Sequence, residues 1–172
     1  DLSPPPHEYE ELALVSEGLR LRAWLSKGSP DKPAFVIVHG LGDSLESYLD
    51  HARPIRRRGS SVLLVDLRGH GGSQAALTTL GGREKADVTA AMEELRKRDL
   101  ARSGIVLMGH SMGSVAVLLA AADVKDVRGV IVEAQLDLLR DQVLVDLVCQ
   151  QVHDLEQILV GKRGEQDGFI QT

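Results

Sequence analysis

The sequence has one cysteine, Cys149, so no disulfide can close within the chain and its core has to hold without a covalent staple. Cys149 itself reads as a small buried hydrophobe. Aromatic residues are scarce: two tyrosines, two phenylalanines and one tryptophan leave too few rings for base-stacking or sugar-binding platforms. Apolar runs such as 34–38 and 115–122 are short, well under the ~20 residues a membrane-crossing helix needs. Positive charge is in the minority, 20 Lys and Arg against 25 Asp and Glu for a net charge of −5, the reverse of a nucleic-acid footprint. The six histidines show no H-x-x-x-H spacing and no clustering with Cys or Asp, so neither metal nor cofactor is expected. No Lys-Ser or Lys-Thr follows the glycines at 69–72 or 81–82, which excludes a phosphate-cradling loop.

What is present fits one globular domain: 172 residues, 43% hydrophobic and 26% charged. The chain starts at Asp1 and runs into Ser3-Pro4-Pro5-Pro6. We read residues 1–8 as an extended leader behind a removed or omitted segment, which leaves a cytoplasmic and a released or tethered location both open. From Glu11 to Leu25 apolar residues alternate with polar ones around Glu17-Gly18, the pattern of an antiparallel hairpin. Four short continuous runs follow, Phe35–Val38, Val62–Val65, Ile105–Met108 and Val130–Val132. Such strands are buried on both faces and belong to a parallel sheet.

Parallel strands need crossovers, and helical patterns lie between them. The first spans about Ser44 to Arg58, with Asp43 and Glu46 as a capping pair and Gly59 as its stop. Its arginines, Arg53, Arg56, Arg57 and Arg58, read as a solvated helix end that the dipole favours. The second covers roughly Gly82 to Arg98, and the third, small and apolar, Met112 to Ala122. The last stretch repeats apolar residues along two stripes, Leu136, Leu139, Val143, Leu147 and Leu144, Val148, Val152, Leu155, Leu159. That predicts a helical tail over 136–161 packed on a core of 9–135, with a polar tail at 162–172.

The strand Ile105–Met108 runs directly into Gly109-His110-Ser111-Met112-Gly113 and then into the small-residue helix. This G-x-S-x-G needs a strained strand-to-helix turn that projects the serine hydroxyl, with glycines where a Cβ would collide. The Met112 N–H and the helix start then face a developing oxyanion. A second donor, the Leu41 N–H, comes from the glycine turn His39-Gly40-Leu41-Gly42 after Phe35–Val38.

These segments, with Asp66-Leu67-Arg68-Gly69-His70-Gly71-Gly72-Ser73, resemble the α/β-hydrolase fold family, and within it bacterial serine hydrolases of the serine aminopeptidase and monoacylglycerol lipase-like group. The resemblance covers roughly Tyr9 to Ala134. It implies a mostly parallel sheet with an N-terminal antiparallel hairpin and helices on both faces. It also implies Ser111 as nucleophile, Leu41 and Met112 as oxyanion donors, and hydrolysis of a carboxylic ester or related acyl bond of a small-molecule substrate. Asp66 and Arg68 are then loop-ordering residues, and His70 and His110 packed or hydrogen-bonded ones.

A serine nucleophile needs a base, and the base a carboxylate. In family order these follow Ser111 after two more strands, which the sequence beyond Ala134 does not display; the last strands read as missing and replaced by the helical tail. His153 is the one histidine after Ser111 and takes the base role. Asp137 takes the acid role, ahead of Asp141, Asp146 and Asp154. The alternative is an inactive or truncated hydrolase-like module serving in binding or oligomerisation. With the sheet ending at Val130–Val132, a homodimer through that edge or through the C-terminal helix is expected.

Overall fold

The computed structural model describes residues 3–124, 126–133 and 157–161, the last five as backbone only. Strand β1 (Glu10–Ser16) turns through Glu17 and Gly18, both at positive φ, into β2 (Leu19–Ser26). Two central residues at positive φ give the turn whose twist matches antiparallel strands, so the expected hairpin forms. Then come β3 (Ala34–Val38), a 3₁₀ turn (Leu45–Tyr48), α1 (Leu49–Arg57), β4 (Val62–Val65), α2 (Lys85–Lys97), β5 (Ile105–His110), α3 (Met112–Ala122), β6 (Val127–Glu133) and β7 (Gln157–Gly161). The strands form one sheet ordered β1-β2-β4-β3-β5-β6-β7, antiparallel through β2/β4 and parallel from there on.

Alternate residues of each central strand enter opposite cores, which is why their sequences are continuously apolar. Val36, Val38, Leu63, Val65, Ile105 and Leu107 pack under α2 and α3. Ile37, Val62, Leu64 and Met108 pack under Leu45, Tyr48 and Ala52 of the α1 side. α3 is small and apolar because it lies flat on the sheet, with Ala116, Val117 and Ala120 buried.

Several expectations are corrected. The first helix begins as the 3₁₀ turn, and Asp43 and Glu46 do not form a reciprocal cap: Asp43 accepts Ser44 N–H and Ser47 Oγ–H, while Glu46 accepts Arg22 and Ser44. Arg22 and Trp24, the outward side of the hairpin by alternation, are 3% and 1% exposed. Their polar groups are met by Glu46, Glu11 and the Ser3 carbonyl, and the guanidinium stacks over the indole. That contact ties down the first described residues, as does the turn from Tyr9 N–H to Pro6 O. The end of the 136–161 tail is strand rather than helix: β7 pairs in parallel with β6 from Gly129↔Gln157 to Glu133↔Gly161. Ile158 and Val160 lie off both helical stripes and make an alternating β-branched pair, a local signal the longer periodicity masked. β6 is therefore not the edge; β7 takes the outer position among the described strands. Residues 134–156 and 162–172 lie outside the described residues.

Candidate active site

Ser111 joins β5 to α3 with φ +49° and ψ −116°, a conformation an L-residue adopts only under strain. The glycines around it make room. A Cβ on Gly109 would stand 2.3 Å from the Gly113 carbonyl oxygen, and one on Gly113 would stand 2.6 Å from that of His39. The first turn of α3 therefore sits directly on the ends of β5 and β3. Ser111 N–H donates to Glu133 O at 2.8 Å, and Ser114 N–H to Ser111 O at 2.9 Å.

The turn after β3 lies beside the serine: a Cβ on Gly40 would be 3.2 Å from Ser111 Cβ. Its shape is set by His39, which is fully buried. Leu67 N–H can only donate, so His39 Nε2 accepts it at 3.0 Å, and the proton on Nδ1 goes to Gly40 O at 2.7 Å. Burial holds the imidazole pKa below its ordinary value, which keeps the ring in this neutral tautomer. With Gly40 O engaged by His39 and by Asp43 N–H, the following N–H is that of Leu41. Neither Leu41 N–H nor Met112 N–H has an acceptor among the described residues; for Met112, the first residue of α3, no intrahelical partner exists. The sequence pointed to both donors but not to His39, whose role depends on a partner 28 residues away.

Asp66 and Arg68 are consumed in ordering loops. Asp66 accepts Leu45 N–H and Gly72 N–H, both at 2.7 Å, and a Cβ on Gly71 would overlap its carboxyl group. Burial pushes the Asp66 pKa up against those two bonds. Arg68 grips the buried Asp87 through Nε and Nη2 and reaches Glu17 through Nη1; the Asp87 bond leads the rise of its pKa. His70 shares its Nδ1 with Arg68 O at 2.9 Å and packs on the His39 ring. His110 packs on Tyr48, but its buried Nδ1 has no hydrogen-bond partner among the described residues. Beyond Tyr48, His51 meets Glu133 at 3.7 Å.

Asp137 and His153 lie outside the described residues. Among the described residues no side chain hydrogen-bonds Ser111 Oγ, and no group of three or more His, Cys, Asp or Glu is placed to hold a metal.

Solved structures with this arrangement include the Pyrococcus furiosus esterase Pf2001, at TM-score 0.67 and 21% identity over 89% of this chain and 70% of that one. Another is Est1E from Butyrivibrio proteoclasticus with ferulic acid bound, at TM-score 0.64 and 25% identity over 71% of this chain and 51% of that one. The sheet order and these neighbours define an α/β-hydrolase fold. Within it the chain belongs to the serine aminopeptidase S33 family, whose profile matches residues 29–160. It is 34% identical over 104 residues, 60% of its length, to the dihydrolipoyllysine-residue acetyltransferase component of the acetoin cleaving system of Pseudomonas putida. It is 33% identical over 98 residues, 56% of its length, to the sn-1-specific diacylglycerol lipase ABHD11 of Xenopus tropicalis. The chain spans only 27% and 29% of those two relatives.

Proposed function

We propose that the protein is a serine hydrolase that cleaves a carboxylic ester or related acyl bond through an acyl-enzyme on Ser111. The observation that carries this reading is the positive-φ serine at the β5–α3 turn, set beside two backbone N–H groups that have no acceptor among the described residues. Ser111 Oγ attacks the acyl carbon and gives its proton to a base. The carbonyl electron pair moves onto oxygen, where Leu41 and Met112 N–H stabilise it. Collapse expels the alcohol or amine, which takes the proton from the base, and water then releases the acid by the same route. One oxyanion donor contributes about 10²–10³ in rate. His153 as base and Asp137 as acid follow Ser111 in the order acid then base and complete the chemical set. The competing reading, a hydrolase-like module in binding or oligomerisation, draws on the absence of a described hydrogen-bond partner for Ser111 Oγ.

Fluorophosphonate labelling of the full chain separates the two. Rapid labelling of the wild type, abolished in Ser111→Ala and slowed at least 100-fold in His153→Ala, is the expected result. Labelling that is absent, or slow and indifferent to His153, would leave the binding module.

A further inference from the structure

Ser114 sits in the first turn of α3 and is 1% exposed, beyond the reach of any substrate. A serine in a helix ordinarily returns its hydroxyl to the carbonyl four residues back. Here that carbonyl would be His110 O. Instead Ser114 Oγ–H reaches one residue further, across the serine turn, to Gly109 O at 2.8 Å, with Glu133 O a second acceptor at 3.4 Å. Its backbone N–H meanwhile donates to Ser111 O. Glu133 O also receives Ser111 N–H. One residue thus touches β5, which runs into the turn, its neighbour β6, and the turn itself, at the point where the backbone is strained.

Strain of this kind persists only where the surroundings over-determine it. The glycine packing around Gly109 and Gly113 excludes wrong conformations by collision; the Ser114 hydroxyl supplies the attractive half of that constraint. We propose that Ser114 is a positioning residue for Ser111, holding the turn at positive φ so that Oγ and the Met112 N–H keep their mutual geometry. The inference rests on the reading of Ser111 as nucleophile. Ser114 touches neither substrate nor reacting atoms, so its loss changes the rate of bond formation and not the affinity for the acyl group.

The test uses the full chain and fluorophosphonate inactivation, resolved into the saturating rate constant and the half-saturation concentration. Ser114→Ala is expected to lower the rate constant about tenfold with half-saturation within twofold, and Ser114→Thr, which keeps the hydroxyl, to recover most of it. Ser61→Ala is the matched control. Ser61 is also fully buried and its hydroxyl oxygen also meets the backbone, accepting Gly28 N–H at 2.9 Å, but it stands just before β4, at the opposite end of the parallel strands from Ser111. It is expected to lower the melting temperature and leave labelling unchanged. Amide exchange gives an independent readout: Ser111 N–H should exchange faster in Ser114→Ala than in Ser61→Ala. Wild-type labelling with Ser114→Ala equally fast, or with Ser61→Ala equally slowed, or with Ser111 N–H exchange unchanged, overturns the positioning role. A wild type that does not label at all overturns the nucleophile reading, and the positioning role falls with it.

Discussion

At Ser111 the protein keeps a residue that its own backbone disfavours. A non-glycine residue at φ +49° carries on the order of 1–3 kcal/mol of strain, and glycine carries almost none there. Ser111→Gly is therefore expected to be more stable than Ser111→Ala by about 1 kcal/mol, read from urea unfolding. Equal stabilities would show that the turn is relaxed. His39 supports the adjacent loop, and its pH dependence follows from burial. Because its folded pKa is depressed, the folded state binds fewer protons than the unfolded chain between the two values. The stability this gives is complete above the free imidazole value of about 6.5 and is lost as pH falls through the folded value. His39→Gln should lower the urea midpoint at pH 7.5, then lose less than the wild type on going to pH 5.5. Parallel declines in the two proteins would remove His39 as the source. The two roles are unequally legible in the sequence. Gly109, Ser111 and Gly113 are legible because their spacing encodes local collisions, whereas His39 is one histidine among six until Leu67 is brought to it.

The elements around the site are held by polar residues that sequence patterning treats as surface. α2 (Lys85–Lys97) docks through Asp87, which is fully buried and paired with the equally buried Arg68. Asp87 also accepts the Arg68 backbone N–H, so the pair fixes the path of the loop after β4 as well as the helix. Removing one partner leaves an uncompensated charge in the interior, and Arg68→Met should cost about 3–5 kcal/mol. Replacing both, as Arg68→Met with Asp87→Leu, should cost clearly less than the two single changes added together, in a double-mutant cycle from chemical unfolding. Additive losses would mean that the two residues act separately. Ahead of α2, Glu84 is fully buried and accepts Thr79 N–H, Thr79 Oγ1–H and Gly81 N–H. Burial raises its pKa, but those bonds outweigh burial and leave it lowered. The helix consequently starts at Lys85, three residues later than periodicity alone suggests. Periodicity finds helix interiors, such as Val88, Ala91, Met92 and Leu95. It does not find ends that are set by carboxylates folding back on a loop.

For the molecule as a whole, the central strands were legible because burial on two faces demands uninterrupted apolar residues, and β3, β4 and β5 have them. β7 was not. Its five residues continue a stretch with helical spacing, and their strand character depends on a partner, β6, about 28 residues earlier along the chain. That pairing has consequences at the site. β6 supplies Glu133 O to the Ser111 N–H, and β7 pairs with β6 up to the same residue. A parallel strand left uncovered exposes a row of unpaired backbone groups that another chain can adopt. A chain ended at Glu156 should therefore self-associate, giving a mass above the monomer by light scattering at concentrations where the 172-residue chain does not change. It should also melt lower. Since the uncovered end of β6 is the one that anchors Ser111, fluorophosphonate labelling should fall along with the melting temperature, even in the fraction that stays monomeric. A shortened chain with the mass, melting temperature and labelling rate of the original would show that β6 keeps its end fixed without β7, and that the anchoring of Ser111 is complete within residues 105–133.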